Sequence, residues 1–324
     1  MVTGQPVIMT ERETEAGVRW NTGQALVVVV SAFVTYIIGT ILLAGIDFAV
    51  EHHAGFWLGP VSYLFLTVGT FAGAKLILIP RWGSWASIGF RAPRPWEKQD
   101  RSVAVVGAIV TVLVGVIGLS AVHALEPKHG SSTGVVAGMM AVGALSALLA
   151  GLILMGLNRQ SAWTKVLVMP PLAYSAFLIG AAIITALLQA ISNFHVKGNA
   201  KQLLPPHQSH LTVGQFVALL VLAAVLAPVT EETLFRGVLY QALRRNLSAR
   251  MGFVPAVALA ALGSGTLFGL AHLLGGSGEL NTLPILIYLG VVLAVGFQYT
   301  DTLAGSMLIH SSVNALAVIA LFVH

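Results

Sequence analysis

The run ALVVVVSAFVTYIIGTILLAGI at residues 25–46 contains no charged side chain and decides the fold class. A membrane-spanning helix needs about 20 apolar residues, because the hydrocarbon core is about 30 Å thick and each residue rises about 1.5 Å. Eight further stretches meet or approach this length: 57–80, 103–124, 134–156, 163–192, 211–243, 253–273, 282–299 and 302–323. They lack the alternation typical of membrane strands. The sequence therefore predicts an all-α, polytopic transmembrane helix bundle of about nine spans.

The composition excludes a soluble globular protein. Of the 324 residues, 56% are hydrophobic and only 9% are charged. Soluble domains carry about 25% charged residues, because a surface that faces water must be polar. The chain has no cysteine, which excludes disulfides, thiolate metal sites and a cysteine nucleophile. We therefore expect an integral, multi-pass membrane protein, and we assign it, as a separate hypothesis, to a bacterial cell membrane.

The basic residues predict the orientation of the bundle. If the N-terminus is cytoplasmic, 12 Lys and Arg residues fall on the inner side, and the outer loops hold only three, Lys128, Lys197 and Lys201. This asymmetry is what the positive-inside rule predicts. The excess of 17 Lys and Arg over 12 Asp and Glu is thereby explained, and we expect no nucleic-acid partner.

Ionisable groups deep inside the predicted spans are the candidates for function. A charged side chain at the centre of a bilayer costs at least about 2.5 to 3.5 kcal/mol, so such residues are normally functional or paired. Apart from Lys75, which can extend towards the inner surface, they all lie in the last third of the chain. They are Glu231, Glu232, Arg236, His272 and His310.

The first candidate motif is VTEETLFRG at residues 229–237. Glu232 and Arg236 are four residues apart, so one helical turn brings them together as an ion pair. Glu231 is rotated by about 100° from Glu232 and is free to point elsewhere. The motif predicts a general base beside a structural ion pair. A buried charge network that only holds two helices together is the alternative.

Two further motifs, FGLAH at 268–272 and HSSVN at 310–314, lie in separate spans. His272 taken alone favours a hydrogen-bonded packing role, and His310 with Asn314 is a weak signal by itself. The depth of His272 in the membrane connects it with Glu231, because Glu231 lies 18 residues before the turn near residue 249 and His272 lies 23 after it. Antiparallel neighbouring helices therefore place these two side chains at nearly the same level.

The ordered set Glu-Glu-x-x-x-Arg, Phe-x-x-x-His and His-x-x-x-Asn closely resembles the CAAX protease and bacteriocin-processing family of intramembrane proteases, also called CPBP or Abi. The resemblance covers roughly residues 211–320 and implies peptide-bond hydrolysis inside the membrane. It further implies roles for the six motif residues. Glu231 and His272 would activate water, His310 and Asn314 would stabilise the oxyanion, and Glu232 and Arg236 would hold the site together.

The resemblance leaves the cofactor open between two mechanisms. The family has often been labelled metalloprotease, and Glu231, His272 and His310 could supply the three protein ligands of a catalytic Zn²⁺. The sequence has no His-Glu-x-x-His helix, however, and Asn314 suits an oxyanion donor better than a zinc ligand. We therefore favour a metal-free glutamate mechanism that acts on a membrane-associated peptide or protein within the lipid bilayer.

Three regions and two other functions complete the prediction. Residues 1–24 form a cytoplasmic N-terminal segment, 25–210 form a five-helix membrane region without recognised motifs, and 211–324 form the catalytic helix bundle.

An ion- or proton-coupled transporter is one alternative function, but it predicts charged residues in both halves and an inverted repeat, which the sequence does not show. A catalytically silent adaptor or immunity protein of the same fold is the other.

Overall fold

The computed structural model describes residues 20–49, 55–82, 84–96, 104–106, 108–117, 139–149, 162–191, 212–274 and 280–323. Within these ranges every regular element is a helix, and the chain is an all-α helix bundle. The predicted boundary at residue 210 and most of the predicted segment 1–24 lie outside the described residues.

Each of the nine predicted spans contains a helix. Six helices are long and apolar enough to cross a membrane, and three further apolar helices are shorter within the described residues. With the short helix Trp85–Ile88 included as α3, we number them in chain order. They are α1 Thr22–Ala49, α2 Leu58–Gly73, which continues through Ala74–Leu78 to Ile79–Trp82, α3 Trp85–Ile88, α4 Ala104–Ile117, α5 Met139–Leu149, α6 Trp163–Ile191, α7 Val213–Met251, α8 Phe253–Leu274, α9 Leu283–Thr300 and α10 Leu303–Val323.

The outer surface of the bundle is apolar, as the composition predicts. Large side chains of α1 point outward, with Ile41 64% exposed and Phe48 75% exposed. On α2, Leu76 is 74% exposed. Water would not tolerate this much exposed hydrocarbon, whereas lipid tails solvate it without cost. These faces confirm an integral membrane protein.

Glycines allow the helices to approach each other closely. A Cβ atom added to Gly39 of α1 would lie 2.1 Å from the ring of Phe65 in α2. Between α8 and α9, a Cβ atom on Gly290 would lie 2.5 Å from the Cα atom of Gly265. Gly265 and Gly269 therefore form a small-residue contact surface on α8, and its partner is α9.

The turn between α9 and α10 is held by the segment that follows α2. Asp301 ends α9 in the left-handed conformation, with φ at 56°, so the predicted boundary between the last two spans is confirmed. Arg91 donates to the Asp301 carbonyl at 2.8 Å and pairs with its carboxylate. The backbone N–H of Leu303 donates to the carbonyl of Gly89 at 2.9 Å. These contacts fix the start of α10, the helix that carries His310.

Helices α1 and α2 share one hydrophobic core with the C-terminal helices. Trp20 is 1% exposed and Leu78 of α2 is 1% exposed, and both belong to the same cluster as Leu234 of α7 and Phe268 of α8. The indole N–H of Trp20 also donates to the carbonyl of Val238 at 3.1 Å. The N-terminal helices therefore form one wall of the region that contains the candidate site.

Candidate active site

Helix α7 carries the glutamates and is widened twice into π-helical turns, at Leu222–Leu226 and at Thr233–Tyr240. Such turns leave some backbone carbonyls without their usual helical donor, and they are frequent at functional sites. In the second turn, side chains supply donors. Ser264 of α8 donates to the carbonyl of Phe235 at 3.0 Å. Glu231 and Glu232 therefore immediately precede a π-helical stretch that a hydrogen bond from α8 stabilises.

Glu231 of α7 lies close to side chains from three other helices. Its Oε1 atom accepts a hydrogen bond from the hydroxyl of Tyr63 in α2, at 2.6 Å. Its Oε2 atom lies 3.8 Å from Nε2 of His272 in α8 and 3.8 Å from Nε2 of His310 in α10. This oxygen is buried and has no hydrogen-bond partner. The structure thus brings together the side chains of Glu231, His272 and His310.

The hydrogen-bond partner of Nδ1 determines which tautomer each histidine adopts. Nδ1 of His272 lies 2.9 Å from the carbonyl of Phe268, and Nδ1 of His310 lies 2.9 Å from Oε1 of Glu232. Carbonyl and carboxylate oxygens only accept hydrogen bonds, so we infer that both Nδ1 atoms carry a proton. In the neutral rings Nε2 then presents a lone pair towards Oε2 of Glu231.

Glu232 and Arg236 form the buried ion pair that their spacing predicts. Both side chains are fully buried, and Nη1 of Arg236 lies 3.1 Å from Oε1 of Glu232. Nη2 of Arg236 donates to the carbonyl of Gly290 at 2.8 Å, in the helix contact that the glycines permit. Since His310 binds the same Glu232 oxygen, the pair links α7 to both α9 and α10.

Phe268 is the apolar centre of the site. Its ring centroid lies 4.5 Å from that of His272 and 5.7 Å from that of His310. The guanidinium carbon of Arg236 lies 4.6 Å from the centroid of the same ring. The fully buried ring therefore packs against both histidines and against Arg236, and it restricts their movement.

Asn314 lies one helical turn beyond His310, and its amide donates to the carbonyl of Ala223 at 2.8 Å. Proline explains why this carbonyl needs a partner. The N–H of Ala227 donates to Leu222, five residues back. In this register the next donor, for Ala223, would be residue 228, which is a proline without N–H. Asn314 thus supplies the missing donor, and its oxyanion role stays a prediction.

We expect Asn314→Ala to lower the free energy of unfolding by about 1 to 3 kcal/mol, because the carbonyl of Ala223 loses its donor. Thermal unfolding of purified protein measures this. Pro228→Ala is the matched background, since it restores an N–H at residue 228 and should reduce the cost of Asn314→Ala. An equal cost in both backgrounds would contradict the structural role.

Tyr63 is a site residue that sequence reasoning missed. A signal was nevertheless present, because α2 carries a polar stripe of Tyr63, Thr67 and Thr70 within an apolar span. Thr67 and Thr230, which precedes Glu231, share a hydrogen bond of 3.0 Å between their hydroxyls. Polar groups on one face of a membrane helix normally point to the bundle interior, which would have directed attention to this face.

The donor set of Glu231, His272 and His310 matches catalytic zinc in kind but not in spacing. Tetrahedral ligands at about 2.0 to 2.1 Å from zinc lie about 3.4 Å from each other. Both histidine nitrogens lie farther than this, at 3.8 Å, from the Glu231 oxygen. No group of three or more His, Asp or Glu side chains among the described residues is arranged to hold a metal ion. The side chains do not fit zinc as they stand.

Comparison with known proteins gives one result that bears on these residues. Residues 213–316 match the family model described as type II CAAX prenyl endopeptidase, Rce1-like. The match includes α7, α8, α9 and most of α10, and therefore all six predicted site residues, whereas α1 to α6 lie outside it. No curated protein and no solved structure matched the chain.

Proposed function

We propose that this integral membrane protein is an intramembrane endopeptidase, because residues 213–316 match the model of the Rce1-like family of type II CAAX prenyl endopeptidases. Its substrate is a membrane-associated peptide or protein. The observation that carries the proposal is the buried, unpartnered Oε2 atom of Glu231, which faces the Nε2 atoms of His272 and His310. These three atoms surround a position where one water molecule is activated.

Glu231 acts as the general base in the proposed reaction. It takes one proton from the water, whose other hydrogen is donated to Nε2 of His272. The hydroxide attacks the carbonyl carbon of the scissile bond and forms a tetrahedral oxyanion. The C–N bond then breaks and the proton held by Glu231 passes to the leaving amine, which regenerates the carboxylate.

The two histidines take different roles because their Nδ1 partners differ. Behind His310 lies the carboxylate of Glu232, which stabilises a positively charged ring. A protonated His310 donates from Nε2 to the oxyanion. Behind His272 lies the neutral carbonyl of Phe268, and the Nε2 atom of this ring accepts from the water. A fixed donor in a site shielded from water stabilises the developing negative charge.

The test of this function is a comparison of membrane peptides from cells that produce the wild-type chain or the Glu231→Ala variant. Proteolysis predicts at least one membrane-associated peptide or protein whose cleavage products depend on Glu231. If expression levels match and no product depends on Glu231, the transporter or the silent adaptor becomes the better explanation.

Metal removal separates the two mechanisms left open by the donor set. We propose the metal-free reaction, because the histidine–glutamate spacing does not fit zinc, and we expect a chelator to leave cleavage by the purified protein unchanged. Elemental analysis of the same samples should show no equivalent of bound metal. Stoichiometric zinc that is removed and restored together with activity would contradict this.

A further inference from the structure

Helix α2 lies outside the family match, yet it contacts the carboxylate proposed as the general base. The hydroxyl of Tyr63 donates to Oε1 of Glu231 at 2.6 Å, between residues 168 positions apart in the chain. One turn further along α2, the hydroxyls of Thr67 and Thr230 are 3.0 Å apart. Two adjacent side chains of α2 therefore bind two adjacent residues of α7.

The bond to Tyr63 determines which oxygen of Glu231 faces the histidines. The terminal torsion of a glutamate side chain has a broad, roughly two-fold preference, so the carboxylate plane is weakly defined by itself. A donor on Oε1 fixes that plane and leaves Oε2 as the free oxygen. Charge-assisted hydrogen bonds of this kind are short and strong, and 2.6 Å is typical of them.

Packing holds the tyrosine in this position. Tyr63 packs against the core that includes Leu66 of the same helix. The α1–α2 contact is close at Gly69, where an added Cβ atom would lie 2.9 Å from the Cα atom of Ala32. A helix fixed in this way can hold a side-chain donor to within the tolerance that catalysis requires.

We propose that Tyr63 is a positioning residue for Glu231, and that α2 thereby completes a site whose other residues all lie in the family segment. This inference rests on the proposed function. The tyrosine orients the carboxylate so that Oε2 meets the water and both histidines. It touches neither the water nor the substrate.

Steady-state kinetics of Tyr63→Phe test the proposal, with the full-length protein in detergent and an internally quenched farnesylated CAAX peptide as probe. We expect kcat to fall about 10- to 100-fold while KM stays at the wild-type value, because a misoriented base slows the reaction and leaves binding intact. Tyr288→Phe is the matched control, since it also removes one phenolic hydrogen bond between two membrane helices, to the carbonyl of Ala176 at 2.8 Å. Wild-type kcat in Tyr63→Phe, or an equal loss in Tyr288→Phe, would overturn the proposal.

A double-mutant cycle tests the hydrogen bond between Tyr63 and Glu231 independently of activity. Tyr63→Phe should lower thermal stability in the wild-type chain but not in the Glu231→Ala background, where the hydroxyl has already lost its acceptor. Equal shifts in both backgrounds would overturn the proposed bond. If the wild-type chain shows no cleavage that depends on Glu231, the proposed function fails, and the cycle still decides whether Tyr63 orients Glu231.

Discussion

Glu231→Gln is expected to abolish peptide cleavage while the protein remains folded and inserted. The amide has the same shape and its oxygen can still accept the hydrogen bond from Tyr63, but it cannot take a proton from water. Loss of a general base lowers kcat by about 10² to 10⁴-fold. The measurement is turnover of a cleavable peptide by purified protein, with thermal unfolding recorded on the same samples.

Asp47→Asn is the control for this substitution. Asp47 is a buried carboxylate of α1, 7% exposed, and the change to an amide is equally conservative. Cleavage should persist in this variant, which separates the loss of a particular base from the general loss of a buried charge. Full activity of Glu231→Gln would refute the assignment of Glu231 as the base.

The positions of the membrane helices could be predicted from the sequence, because the thickness of a bilayer sets the length of the apolar run that a span needs. A span must pair its backbone groups internally and cross about 30 Å of hydrocarbon, so an apolar run of sufficient length forms a transmembrane helix.

The end of α7 was harder to predict. The apolar run ends near residue 243, but the helix continues through Arg244 and Arg245 to Met251. Charged residues end the membrane-buried segment without ending the helix.

The core of the site was predictable because its signals are local. The i, i+4 spacing brings Glu232 and Arg236 together on a single helix. The depths of Glu231 and His272 follow from counting residues across one short turn, and the structure places the two side chains 3.8 Å apart. Both arguments need only helix geometry and the antiparallel packing of consecutive helices.

The partners of Tyr63 and Asn314 could not be predicted in the same way. Which face of α2 meets α7 depends on packing between helices distant in sequence. The partner of Asn314 depends on a π-helical turn at Leu222–Leu226, whereas counting residues assumes a uniform α-helix. Pro228 was the available signal, since a proline within a helix leaves a carbonyl that some side chain must satisfy.

Glu232→Ala is expected to destabilise the protein by about 3 to 5 kcal/mol, because it leaves the charge of a fully buried Arg236 without its carboxylate. The remaining contacts of Arg236, with the carbonyl of Gly290 and the ring of Phe268, carry no negative charge. His310 loses the acceptor of its Nδ1 proton in the same variant. Unfolding by denaturant in detergent, compared with the wild-type chain, measures the loss.

The double variant Glu232→Leu with Arg236→Met distinguishes the structural role of the ion pair from its catalytic role. Replacing both members of a buried pair by apolar side chains is often neutral or stabilising, so most of the stability lost in Glu232→Ala should return. Activity should not return, because His310 still has no carboxylate behind Nδ1 to stabilise its charged form. Recovery of stability and turnover together would show that Glu232 serves only to neutralise Arg236, and the oxyanion would then need a donor other than His310.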